Sequence, residues 1–307
     1  MVVFHGFDKF RPLPRPAAVA VGNFDGLHLG HRKILARLCR LADRRDLSSL
    51  VLTFDPHPER ALGKIAVRMI DTPTQRLRRL SESCVNAVLV TEFDRAFAEL
   101  SGPDFVARVL EKRLRARVIV VGRNFRFGRN RSCGIEELRK LGRRYGLAVY
   151  EVPPAVVGGV AVSSSAIRRL LDRGKVDKAA RLLGRPYEIE GTVIPGLSRG
   201  KGLDAPTANL RTGNEILPDG VFITETVWRG RAFPSVTSIG TSPTFGPNPV
   251  SVETHILDCR ARLYGADLTV RFVRKIRPTR KFADPPALAA RIRKDIDIAR
   301  SYFGGLG

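Results

Sequence analysis

A chain of 307 residues, 43% of them apolar and 16 of them phenylalanine, buries a full core, divides into two domains and is not disordered. No apolar run approaches the roughly 20 residues of a membrane span, and the amino terminus lacks the basic, apolar, small-residue order of a secretory leader, so a cytoplasmic protein without membrane contact is expected. The 53 basic against 30 acidic residues give a net charge of +23, but arginine is spread over almost every segment, so the excess reads as solvated helix faces and predicts no nucleic-acid partner.

Short apolar runs at 17–21, 49–54, 86–91, 117–121 and 147–151 alternate with stretches of helical period at 31–45, 73–82, 103–114 and 134–145. Strands separated by crossover helices predict a doubly wound, Rossmann-like α/β domain. Cys39, Cys84, Cys133 and Cys259 lie far apart without a C-x-x-C pair, which predicts neither disulfides nor zinc. Helices over 164–172 and 175–183 lead to the break Gly184-Arg185-Pro186, which bounds a first domain of residues 1–185 and a second of 186–307. Strands over 187–194, 220–228, 232–239, 251–257 and 267–275 then predict a small β-barrel. An amphipathic helix near 285–302, with Leu288, Ile292, Ile296 and Ala299 on one face, closes the chain.

The stretch GNFDGLHLGH (22–31) leaves the first of these strands and enters the first helix. Open α/β sheets bind ligands at that place, and free helix N–H groups attract phosphate there. Gly22, Gly26 and Gly30 let backbone approach a polyphosphate, and Phe24 joins Gly22 and Gly30 as a nucleotide-binding candidate. His28 and His31, three apart, can donate into one phosphate-sized space. A zinc helix would instead need i, i+4 histidines with an adjacent glutamate. Downstream, Ser163, Ser164 and Ser165 stand at a helix start with Arg168 one turn in, a second phosphate clamp. In the second half GLSRGKGLDAPTANL (196–210) forms a loop able to wrap a nucleotide through Gly196, Arg199, Gly200 and Gly202. Thr207 and Asn209, two apart on an extended segment, point oxygens one way and suit a hard cation such as Mg²⁺ held with ATP.

The H-x-G-H turn resembles the nucleotidyltransferase superfamily. With TFDPHP (53–58), VGRNFRFG (121–128) and VSSSAIRRLL (162–171) the first half is similar to the FMN adenylyltransferase half of bacterial bifunctional riboflavin kinase/FAD synthetases. The P-T-A-N block, followed by SPTFG (242–246), VETHILD (252–258), LYG (263–265) and IRPTRKF (276–282), resembles the riboflavin kinase barrel. The resemblance implies phosphorylation of riboflavin to FMN, then adenylylation of FMN to FAD with release of pyrophosphate, both using Mg²⁺-ATP. It makes His28 and His31 the phosphate-handling catalytic pair, Asn124 and Phe125 flavin-facing, and Glu253 the general base of the kinase. Asp204, Ala205, Ser238 and Ser242 depart from the family's usual glycine, phenylalanine, asparagine and arginine, and Ser165 replaces a common threonine. A monofunctional adenylyltransferase with a weak or inactive barrel, a nucleotidyltransferase for pantetheine phosphate or nicotinamide mononucleotide, and a basic RNA-binding module are the competing readings.

Overall fold

A computed structural model describes residues 1–63, 67–195, 207–240, 250–259 and 261–305, and its contacts divide the chain into two units, Met1–Ser164 and Ser165–Gly307. In the first unit β1 (Val2–His5), β2 (Ala17–Val21), β3 (Ser48–Phe54), β4 (Ala87–Thr91), β5 (Ala116–Gly122) and β6 (Ala148–Val152) make one parallel six-stranded sheet. The order is β1-β4-β3-β2-β5-β6, so the direction of winding reverses beside β2, whose carboxyl end faces a crevice next to β5. Every residue of β2, β3 and β4 is buried, as strands covered by helices on both faces require. Alternation along β2 sends Ala18 and Ala20 toward Leu35 and Leu38 of α1 (Leu29–Arg44), and sends Val19 and Val21 toward the opposite layer.

The remaining helices of this unit are α2 (Pro58–Ala61), α3 (Pro73–Ser81), α4 (Arg95–Ala98), α5 (Gly102–Asp104) and α6 (Ile135–Arg144). Thr72 and Gln75 close a capping box on α3, satisfying two amide donors that the helix start would otherwise leave free. The helix expected over 103–114 opens as α5 behind its Ser101 cap and continues as a π-helix over Phe105–Arg113. A small hairpin of β7 (Val156–Val157) and β8 (Val160–Ala161) follows the sheet. Edge strand β1, the hairpin, α2 and α4 span too few residues to register a period, and none was expected. The expectation of no disulfide fails: Cys39 of α1 is bonded to Cys84, 45 residues away. Spacing conceals this pair because the two cysteines meet only when α1 packs over the approach to β4.

The second unit contains α7 (Ser164–Asp172), which starts at the division, and α8 (Val176–Leu183), which packs against β9 and β14 of the barrel. The strands are β9 (Tyr187–Ile194), β10 (Ala208–Thr212), β11 (Gly220–Trp228), β12 (Arg231–Gly240), β13 (Ser251–Ile256) and β14 (Asp267–Arg277). They close in the order β10-β13-β12-β11-β14-β9. Part of the interior is aromatic, with Phe272 edge-on to Phe222 and stacked on Tyr187. Another part is hydroxyl: Thr224, Thr226, Ser235, Thr237 and Thr254 are fully buried and bonded to one another at 2.8–3.4 Å. The terminal helix α9 (Pro285–Gly304) lays Ile296 and Ala299 over Val221, Ile223 and Val236. Its buried Asp295 pairs with Arg277 at 2.8 Å and Arg291 at 3.0 Å.

Candidate active sites

Beyond β2 the chain turns through Phe24, Gly26 and Leu27 with φ of 50°, 80° and 35°. Two of these are not glycine, and each such residue costs about 1–2 kcal/mol of backbone strain. The turn is held in place by Asp25, whose buried carboxylate accepts from Ile70 N–H at 2.9 Å and from Asp71 N–H at 3.2 Å. At Gly26 the positive φ and the Ile70 side chain, 3.0 Å from where a Cβ would stand, exclude a larger residue. The Asp25 carbonyl also accepts from Ser164 Oγ at 3.0 Å, bringing that serine to the turn.

His28 is the N-cap of α1, and its Nδ1 accepts from the His31 N–H at 3.2 Å. A neutral His28 therefore carries its proton on Nε2, as a donor. The two imidazoles stack with centroids 3.7 Å apart and planes 13° apart, and Phe24 packs on His31 at 5.1 Å. Burial, then repulsion from His28, hold the His31 pKa well below the usual histidine value, so this ring is neutral at pH 7. Its buried Nδ1 has no hydrogen-bond partner among the described residues. No acidic residue sits in the first turn of α1 to occupy its free N–H groups. A stacked pair of imidazoles at a helix N-terminus suits a polyphosphate. Gly30 permits the stack, since a Cβ there would lie 3.1 Å from the His28 ring. Gly22 lies half-buried at the end of β2.

Several residues around this turn escaped the sequence reading. The Asn23 amide lies 2.7 Å from His57 Nε2, while His57 Nδ1 caps α2 by accepting from Glu59 N–H at 3.3 Å. Arg76, from α3, donates to the carbonyls of Asn23 and Phe54. The TFDPHP block was the available signal for His57 and the GNFDGLHLGH stretch for Asn23 and Asp25, whereas nothing local marked Arg76. After β5, Asn124 is exposed and Phe125 half-buried, stacked on the buried Phe127 at 5.6 Å. Ser163 is exposed and Ser164 half-buried. Ser165 and Arg168 share a face of α7, three residues apart, and fall in the second unit.

In the barrel, pairing of β10, β13 and β12 puts Asn209 opposite Glu253 and Glu253 opposite Ser238. Three polar residues thus stand abreast on the face away from the buried Thr254. Glu253 Oε1 accepts from Ser251 Oγ at 3.2 Å. Thr207 is exposed just ahead of β10, in step with Asn209. Hydroxyl and amide oxygens beside a carboxylate are the hard donors that Mg²⁺ accepts. Gly196, Arg199, Gly200 and Gly202 lie outside the described residues, as do Asp204, Ala205 and Ser242.

Residues 11–166 match the FAD synthetase family and residues 183–303 match riboflavin kinase. The chain is 35% identical over 309 residues to the bifunctional riboflavin kinase/FMN adenylyltransferase of Escherichia coli (strain K12), covering 99% of this chain and 98% of that protein. It is 32% identical over 306 residues to the protein of the same description from Haemophilus influenzae, covering 99% of each. A crystal structure described as a macrolide-efflux protein from Streptococcus pneumoniae superposes with a TM-score of 0.88 at 27% identity, over 98% of this chain and 99% of that one.

Proposed function

We propose residue roles from one premise: the chain belongs to the family of bifunctional riboflavin kinase/FMN adenylyltransferases. It phosphorylates riboflavin to FMN and adenylylates FMN to FAD, with ATP the donor in both steps. The observation that carries the assignment of sites is that each unit has its own cluster, the His28–His31 stack in one and the Asn209–Glu253–Ser238 row in the other. The functional boundary is set at the Arg185-Pro186 break, giving 1–185 to adenylylation and 186–307 to the kinase.

For adenylylation, a phosphate oxygen of FMN attacks the α-phosphorus of ATP in line and pyrophosphate leaves. No covalent enzyme intermediate is needed, so the protein supplies position and charge stabilisation. His28 Nε2–H donates to the ATP phosphates as leaving-group charge builds, and His31 meets the same oxygens. Gly22, Phe24 and Gly30 shape the turn around the nucleotide. Ser163, Ser164, Ser165 and Arg168 clamp a phosphate, while Asn124 and Phe125 face the flavin.

For the kinase step, Glu253 takes the proton of the terminal ribityl hydroxyl as the γ-phosphoryl group arrives. Thr207 and Asn209 hold Mg²⁺ with ATP, and the ion, when bound, neutralises phosphate charge. Gly196, Arg199, Gly200 and Gly202 wrap the phosphates. The partners are then riboflavin, FMN and ATP, with no nucleic acid, in the cytoplasm. No helix among the described residues is long and apolar enough to cross a membrane.

The test is incubation of the purified chain with riboflavin and Mg²⁺-ATP, with the flavins separated by chromatography. FMN forms first and FAD follows. FAD formed from supplied FMN, with no FMN formed from riboflavin at any Mg²⁺ concentration, would reduce the barrel to an inactive module.

A further inference from the structure

Arg76 is 3% exposed and belongs to no motif that carries the family resemblance. Its Nη1 donates to the Asn23 carbonyl at 3.3 Å and to the Phe54 carbonyl at 3.1 Å. Phe54 ends β3, and Asn23 directly precedes the first positive-φ residue of the His28 turn. One guanidinium therefore bridges the carboxyl end of β3 to the start of that turn. The charges of Asp55, Asp25 and Asp71 act on it, opposing the burial that lowers its pKa. Asp25 holds the turn through the amides of Ile70 and Asp71, and Asp71 pairs with Arg79 at 3.2 Å.

As a structural ion the residue is not fully satisfied, since its Nε has no hydrogen-bond partner among the described residues; removing it would also leave Asp25 without that countercharge, a cost in stability that a thermal melt reads separately from the rate. An apolar side chain cannot fix two carbonyls and balance Asp25 at once. We infer that Arg76 is a positioning residue for adenylylation, fixing the turn over residues 22–28 so that the His28–His31 pair meets the charge developing on the ATP phosphates. The inference rests on the assignment of that pair to the adenylylation site.

The test compares Arg76→Met, Arg76→Lys and His28→Ala in the full chain, with steady-state FAD formation from FMN and ATP, FMN formation from riboflavin, and a thermal melt for each. A displaced donor pair costs transition-state stabilisation more than ground-state binding. The Met variant is expected to lose about 10- to 100-fold in kcat, with KM for ATP and FMN within about twofold of the parent. Lys keeps the charge but not the fork, and recovers part of that loss. FMN formation stays at the parental rate.

A folded Met variant with parental kcat, or with raised KM and unchanged kcat, overturns the inference. Should Met fail to fold, Lys decides: parental kcat overturns the inference, and reduced kcat at parental KM sustains it. Normal FAD formation by His28→Ala would instead overturn the site assignment, whatever Arg76 does.

Discussion

At the scale of single residues, the histidine pair sets a pH dependence whose sign follows from its environment. His31 has a folded pKa well below its unfolded value of about 6.5, because of burial and then of His28. The unfolded chain thus binds more protons below that value. The stabilisation from a neutral His31 is complete above about pH 6.5 and is lost progressively as pH falls below it. Thermal melts of the first unit should decline on the acid side, and His31→Gln should flatten that decline. ATP phosphates favour the charged ring, so ATP binding near neutral pH should take up protons, measured by calorimetry in buffers of different ionisation enthalpy. Removing the donor itself is the harsher change. His28→Ala should lower FAD formation by about 10²-fold and leave FMN formation intact. A parallel fall of both rates at unchanged stability would refute the division of labour.

At the scale of an element, the first turn of α1 opposes stability to activity at one position. Gly30 lies inside the helix, where alanine is favoured by about 1 kcal/mol. Yet the added Cβ would stand 3.1 Å from the His28 ring, which must then shift by tenths of an ångström. Gly30→Ala should hold or raise the melting temperature while lowering the rate of FAD formation, and a parental rate would show that the stack is not critical. The barrel offers the converse case. Thr237 bonds both Thr224 and Thr254 at 2.8 Å in a fully buried hydroxyl cluster. Thr237→Val keeps the shape and leaves two hydroxyls short of a partner, a loss of about 1–3 kcal/mol in denaturant unfolding.

At the scale of the whole molecule, the proposed roles give each step its own cluster, so one is expected to fail without the other. Glu253→Gln should stop FMN production, and FMN added from outside should restore FAD formation. Asp204, Ala205, Ser238 and Ser242 are the positions at which the kinase half departs from the pattern it resembles. Only Ser238 of these is described, in register with Glu253. The combined change Asp204→Gly, Ala205→Phe, Ser238→Asn and Ser242→Arg should raise riboflavin turnover, and an unchanged rate would mean that these departures are neutral.

The sequence by itself determined the chemistry and the fold class. His28 and His31 are close in the chain and sit in a strand-to-helix turn, and the long elements carry enough residues to show their period. The barrel strands at Tyr187–Ile194 and Gly220–Trp228 and helix α7 at Ser164–Asp172 agree with the expected bounds residue for residue. The tertiary structure decided what joins distant residues. Asp25 reaches Ile70 across 45 positions, Arg76 reaches Asn23 across 53, and Cys39 meets Cys84 across 45. Strand order placed β2 at the winding reversal, and register set Glu253 between Asn209 and Ser238. A periodic pattern records which face of an element is apolar, whereas pairing between elements depends on how all of them pack together, and that packing alone brought Arg76 beneath the histidine turn.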